Sequence, residues 1–268
     1  MAKLRIACHL IQWAGEEEQN LEKVLGEVAD AGYEGVEAVA IKSSGELVEK
    51  AALAAKLGLH LVNSHGSDSP IERVKINIAL GNNASEVPAL ARNNYGGNNP
   101  TAEDMARASK DLDEVLSFCQ AHNVKGFHHA HIGTAIESLE DAERVLKAIP
   151  KLWLLFDTGH LQAAGSDPLK VLKVLGNRIG HVHLKDFYAD DPKTWKWDYK
   201  TSRFGETARF CELGRGNGPM KDIKKVLKEL EALGYDGWIS VELDRPYFAK
   251  SAAEAAKVNR NFLKSLGY

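Results

Sequence analysis

The chain has 268 residues, 44% hydrophobic and 26% charged, with 34 basic against 37 acidic side chains for a net charge of −3. That balance excludes a largely disordered chain, and with no basic run it lacks the electrostatic footprint of a nucleic-acid binder. No apolar stretch approaches the roughly 20 residues of a membrane span and the N-terminus carries no signal-peptide pattern, so the expectation is a cytoplasmic protein.

In chain order, Leu4 to Leu10 reads as a first strand and Glu18 to Ala31 as a helix closed by Gly32. A second strand, Gly35 to Ala40, a helix from Ser44 to Leu57 stopping at Gly58, and a third strand, Leu59 to Ser64, follow. Pro70 opens a helical segment to Leu80, and a short fourth strand is placed at Val87 to Ala91, although Pro88 lacks the N–H a ladder needs. Arg92 to Pro100, Arg-Asn-Asn-Tyr-Gly-Gly-Asn-Asn-Pro, holds no regular structure by its composition and reads as a loop over a site.

Thr101 is an N-cap with Asp104 three residues on, for a helix reaching Ala121. Val124 to His129 is the fifth strand, Leu139 to Ala148 a helix, and Trp153 to Asp157 the sixth strand. Pro168 starts another helix at its preferred first turn, and Ile179 to Lys185 is the seventh strand. A polar excursion from Asp190 to Arg215 carries Trp195, Trp197 and Tyr199. Lys221 to Leu233 is an amphipathic helix, Gly237 to Leu243 the eighth strand, and Ser251 to Leu266 the last helix. Eight short apolar strands alternating with helices predict a single (β/α)8 TIM barrel over residues 1–268, close to the roughly 250 residues usual for that fold. A doubly wound dinucleotide-binding sheet is the rival, and no Gly-x-Gly-x-x-Gly turn follows the first strand to support it. Cys8, Cys119 and Cys211 are odd in number, widely spaced and without a Cys-x-x-Cys pair, so they read as buried free thiols.

Barrel chemistry sits at the C-terminal strand ends, and the polar residues expected there form a coherent set. Strand two contributes Glu37 and strand three His65. Strand five contributes His129 and His131, with Glu137 in the following loop. Asp157 and His160 end strand six, His181, His183, Lys185 and Asp186 end strand seven, and Glu242 and Asp244 end strand eight. Alternation puts His181, His183 and Lys185 on the inner face of their strand, with Val182 and Leu184 against helices, and Ser240, Glu242 and Asp244 on the inner face of theirs. Carboxylates and imidazoles gathered this closely repel and titrate abnormally unless a cation joins them, so a divalent metal is expected. A donor set without thiolate suits manganese, cobalt, zinc or magnesium and does not choose among them; manganese is the first expectation.

Three blocks carry a resemblance to a known family: Phe156-Asp157-Thr158-Gly159-His160, His181-Val182-His183-Leu184-Lys185-Asp186, and Gly237-Trp238-Ile239-Ser240-Val241-Glu242-Leu243-Asp244. Together they resemble the signatures of the xylose-isomerase-like TIM-barrel family, which includes sugar isomerases and epimerases and inosose dehydratase. The resemblance implies that Asp157, His183 and Glu242 are three of four metal ligands. Where many relatives place a glutamate at the tip of strand five, this chain has His128-His129-Ala130-His131-Ile132-Gly133-Thr134, a form similar to the inosose dehydratase version. The fourth ligand is then His129 or Glu137, with Glu137 preferred.

The implied activity is metal-dependent isomerisation or epimerisation of a small keto-sugar through an enediolate. The alternative is dehydration of a keto-polyol, and a remote one is an abasic-site endonuclease. Candidate proton carriers are Glu242, Glu137, His129, His131 and Lys185. Candidate substrate contacts are His160, His65, Arg215 and Trp195, with Lys185 and His160 holding hydroxyls or protonating a leaving group. His128 and His181 read as packing histidines, and Asp186 and Asp244 as residues that orient ligands. The three aromatics of the excursion read either as a sugar-binding wall or as a homo-oligomer interface.

Overall fold

The computed structural model describes residues 4–198 and 200–268; Tyr199 lies outside the described residues. Each barrel strand is a short apolar run. In chain order they are β1 (Arg5–His9), β2 (Gly35–Glu37), β3 (His60–Val62), β4 (Ala84–Glu86), β5 (Lys125–His129), β6 (Trp153–Asp157) and β7 (Ile179–Leu184). A two-stranded antiparallel hairpin, β8 (Asp186–Ala189) with β9 (Ala208–Cys211), leaves the seventh position, and β10 (Trp238–Val241) completes the sheet. The main sheet runs in the order β3-β2-β1-β10-β7-β6-β5-β4, with parallel pairing throughout. This is the curled eight-stranded TIM-barrel sheet that the alternating pattern predicts.

The helices are α1 (Glu16–Gln19), α2 (Leu21–Ala31), α3 (Ser44–Lys56), α4 (Pro70–Ala79), α5 (Ala102–Ala121), α6 (Leu139–Ala148), α7 (Thr158–Ala163), α8 (Pro168–Leu175), α9 (Ile223–Ala232) and α10 (Ala252–Leu266). Their ends follow side-chain chemistry. Thr101 and Asp104 form a reciprocal capping box on α5, Asp167 caps α8 with Pro168 in the first turn, and Ser251 caps α10. The helix expected from Glu18 is two helices, because the Asn20 side chain accepts from Lys23 N–H and starts α2 afresh.

Two expectations are corrected. The fourth strand is Ala84–Glu86 rather than Val87 to Ala91, ending before Pro88, whose missing N–H cannot pair. The loop after it holds a 3-10 turn at Arg92–Tyr95, closed by Gly96 in the left-handed region. Between β3 and β4, side chains replace a ladder. Asn63 Oδ1 accepts Glu86 N–H at 3.2 Å, Asn82 Nδ2 donates to Leu61 carbonyl at 3.0 Å, and the fully buried Asn77 links Ser64 to Ser85.

The inside of the barrel is layered. At its base Trp238 packs with Ala7 and Val62, and Phe127 with Ala84 and Leu155. Gly35 makes room for that plug, since a Cβ there would come within 2.8 Å of the Trp238 ring. His181 stacks on Phe127 at 5.1 Å and begins a polar layer above it. Outside, β-strand side chains such as Val182, Leu184 and Val241 join the helices in one continuous core. Among the described residues no helix is long and apolar enough to cross a membrane.

Candidate metal centre

Above the plug, the ends of β5, β6 and β7 and the residue following β10 converge. One donor atom each from His129, Asp157, His183 and Glu242 lies within 4.8 Å of the others. Asp157 is fully buried because the apolar strand behind it, Leu154, Leu155 and Phe156, is buried on both faces. Its Oδ1 accepts the His160 N–H at 2.8 Å and caps α7, so the cap fixes the direction of the other oxygen. That Oδ2 lies 3.0 Å from His129 Nε2 and 3.6 Å from His183 Nδ1. Glu242 Oε2 abuts the same His183 Nδ1, yet neither atom has a hydrogen-bond partner.

The charges are tightly coupled. Burial alone would raise the carboxyls of Asp157 and Glu242. Nearby His160 and Lys185 overturn that at Asp157, and Lys185 and His183 do so at Glu242, leaving both well below the usual carboxylate range. Burial would lower the His183 imidazole, but Glu242 and Glu37 hold its proton and carry it well above the usual value. A buried cluster of carboxylates and imidazoles whose Nδ1 and Oε2 atoms meet without a well-aligned hydrogen bond is chemically suited to a divalent cation. Two nitrogen and two oxygen donors without thiolate fit manganese, cobalt, zinc or magnesium.

Lys185, 1% exposed, sits behind this cluster rather than in the open. Its Nζ donates to Glu242 Oε1 and Asp244 Oδ1, both at 2.8 Å, and lies 3.5 Å from His160 Nε2 and 4.1 Å from the Phe210 ring centre. Gly159 permits this: a Cβ there would meet Lys185 Cβ at 2.5 Å. His160 also stands behind, its ring 3.7 Å from that of His131. Neither lines the cavity. That cavity, of about 280 Å³, is lined by His9, Glu37, Asn63, His65, Glu86, His129, His131, His183, Glu242 and Asp244, with Ile11 and Ala38 at its side. It is small against the roughly 300–1,000 Å³ typical of ligand pockets, and nearly all of its side chains are polar.

Several expected site residues lie elsewhere. Glu137 is not in the donor cluster: its carboxylate accepts from Gly133 N–H and from Trp197 Nε1 at 3.0 Å and pairs with Arg92 at 3.0 Å. It is spent on tying the 92–100 loop, its own loop and the excursion together, and His129 occupies the corner Glu137 was expected to fill. Arg215 is exposed, 6.0 Å from the Phe248 ring centre, and Trp195 donates to the Ala163 carbonyl and packs on Phe187; neither lines the cavity. Asp186 orients no ligand but accepts the N–H groups of Gly214, Gly216 and Phe187. His128, fully buried with its imidazole lowered to about 3 by desolvation, accepts Leu90 N–H. His9 went unnoticed in the sequence; its position at the end of β1 is the signal that finds it.

A family model described as xylose isomerase-like TIM barrel matches residues 25–266. The chain belongs to the xylose isomerase-like TIM barrel family. Among curated proteins it is similar to inosose dehydratase of Clostridium tetani, 32% identical over 167 residues, covering 61% of this chain and 55% of that protein. Inosose dehydratase of Clostridium beijerinckii is 28% identical over 60% of this chain and 54% of its own length. The chain thus spans about half the length of the curated relatives it matches. Within the same fold, the probable 3-DHS dehydratase AsbF of Bacillus anthracis superposes with a TM-score of 0.69 at 14% identity, over 97% of this chain and 99% of the other. D-allulose 3-epimerase of Methylomonas sp. superposes with a TM-score of 0.69 at 15% identity, over 99% of both chains.

Proposed function

We propose that this protein is a metal-dependent dehydratase of a small keto-polyol, of which an inosose is the type. The carrying observation is a cation-ready cluster of His129, Asp157, His183 and Glu242, of which His129, His183 and Glu242 line a small polar cavity together with His131. A divalent cation in that cluster, manganese being the first choice, would polarise a substrate carbonyl and stabilise negative charge developing on its oxygen.

His131 is suited to the proton transfer. Its Nδ1 lies 2.6 Å from the Ile132 carbonyl and must donate to it, so the neutral ring carries its lone pair on Nε2. Burial lowers this imidazole and keeps that lone pair free. His131 takes the proton from the carbon next to the carbonyl and returns it to the β-hydroxyl. The C–O bond breaks as water leaves, and the electron pair of the broken C–H bond becomes the new double bond. Lys185, behind Glu242 and Asp244, holds both carboxylates in place and balances their charge. His160 backs the His131 ring.

Isomerisation or epimerisation is the second reading, favoured by one feature: Glu242 also lines the cavity and offers a second proton carrier besides His131. Both readings share proton removal next to a carbonyl, so one experiment separates them. Metal-loaded protein is incubated with a panel of keto-polyols and keto-sugars in D2O, following the absorbance of the unsaturated product and deuterium at the reacting carbon. Dehydration predicts loss of water from a keto-polyol, and His131→Asn lowering the rate by about 10²–10⁴-fold. Deuterium exchange with no loss of water supports the isomerase reading, and no exchange in any substrate refutes both.

A further inference from the structure

We propose that Glu37, on β2 and outside the four-donor cluster, fixes which nitrogen His183 offers to the cation. This rests on the reading of His129, Asp157, His183 and Glu242 as a metal site. His183 stands between two sets of carboxylates. Its Nδ1 faces Asp157 Oδ2 and Glu242, while its Nε2 lies 3.1 Å from Glu37 Oε1. A neutral imidazole has one N–H and one lone pair. For Nδ1 to bind a metal, the proton has to sit on Nε2, and an ionised carboxylate, which can only accept, secures it there.

Glu37 is built to be a fixed reference. It is 1% exposed, and its two oxygens meet three donors: His183 Nε2, His181 Nε2 at 2.7 Å and Asn63 Nδ2 at 2.8 Å. Asn63 is held with φ of 39°, in the left-handed region that non-glycine residues rarely adopt, and its Oδ1 is pinned by Glu86 N–H across the β3–β4 seam. His181 is in turn stacked on Phe127 of the apolar plug. The barrel floor therefore positions Glu37, and Glu37 positions His183.

The same residues raise a rival, because His9, Glu37 and His183 also bring donor atoms within 4.8 Å of one another. Ring chemistry argues against a second cation there. His9 Nδ1 accepts the Ile11 N–H at 3.2 Å, which occupies that lone pair and leaves the proton of a neutral His9 on Nε2, so neither ring nitrogen is free to ligate. His183 would also have to give up both ring protons to bridge two ions. The group is better described as one metal site and the carboxylate that orients it.

The test uses the 268-residue chain stripped of metal, titrated with Mn2+ by calorimetry, alongside nitrogen-15 spectra of the Zn2+-loaded protein. We expect one ion per chain in the wild type, and a His183 ring whose remaining proton resides on Nε2. Glu37→Gln should bind Mn2+ about 10–100-fold more weakly, because a neutral amide oxygen accepts the Nε2–H less strongly than a carboxylate, with Glu37→Asp recovering part of the affinity. Wild-type affinity in Glu37→Gln overturns the assignment and leaves the four-ligand site intact. A Zn2+-loaded wild type with its His183 proton on Nδ1 overturns it without any variant. Two ions per chain, the second lost with Glu37, favours the rival, and no divalent binding by the wild type sinks the metal site itself.

Discussion

Asp157→Asn separates the structural duty of this residue from its proposed chemical one. Oδ1 caps α7 by accepting the His160 N–H at 2.8 Å, and an asparagine carbonyl can do the same. Asn and Asp are near equals at an N-cap, so the cap survives, but the buried charge that His129 and His183 face is lost and the metal-free variant should be less stable than the wild type. At the other atom the change is severe. A charged oxygen 3.0 Å from His129 Nε2 and 3.6 Å from His183 Nδ1 becomes an NH2 group, which cannot ligate a cation. For the wild type, a cation supplied at about a hundredfold its Kd stabilises the folded state by about 2.7 kcal/mol. At about 2–4 °C per kcal/mol for chains of this size, Tm should rise by about 5–10 °C. The assay is a pair of thermal melts, in EDTA and in Mn2+, for both proteins. Whatever its melting temperature in EDTA, the variant should gain less than about 2 °C from the metal, a small remnant of that linkage. An equal metal-induced rise in both would refute the assignment of Asp157 to the cation.

Glu137→Gln should leave Mn2+ affinity within about twofold of the wild type while His129→Ala weakens it by at least about tenfold, because Glu137 is engaged by Arg92 and Trp197; metal titration of the two variants decides it. Gly159→Ala should cost about 1–3 kcal/mol by overpacking, since its Cβ would fall 2.5 Å from Lys185 Cβ and 3.0 Å from the Phe210 ring; urea unfolding measures the loss, and an unchanged midpoint counts against the packing described. Burial pushes the Cys8 thiol up to about 12 and the Cys119 thiol up to about 11, and raises Cys211 further. At pH 8 the thiolate is then scarce, so a chromogenic disulfide reagent should label the native protein negligibly and all three cysteines after denaturation.

Local chemistry carried much of the fold into the sequence. The cap at Thr101 and Asp104, the proline at the start of α8, and the alternation of His181, His183 and Lys185 with Val182 and Leu184 depend only on neighbours along the chain. The fourth strand was misplaced by a few residues for a related reason. Val87 to Ala91 is apolar enough for a strand, and only the missing N–H of Pro88 marks the boundary. The hairpin of β8 and β9 was hidden because its second strand lies within a polar stretch, and what holds it is pairing with Asp186–Ala189.

At the candidate metal centre the sequence by itself determined that carboxylates and imidazoles end the strands, since strand ends, burial and side-chain alternation are properties of short segments. That reading yields about a dozen candidates, and it is the resemblance of three short blocks to the family's signatures that implies Asp157, His183 and Glu242 among them. Whether His129 or Glu137 completes the group depends on where Arg92, Gly133 and Trp197 stand, residues up to 60 positions from Glu137 in the chain. A carboxylate goes to its strongest available partners, and only the tertiary structure brings those partners to Glu137 and leaves His129 facing Asp157. The role of Glu37 has the same origin: its three donors come from β7 and from the residue after β3, and nothing in the Gly35–Glu37 segment announces them.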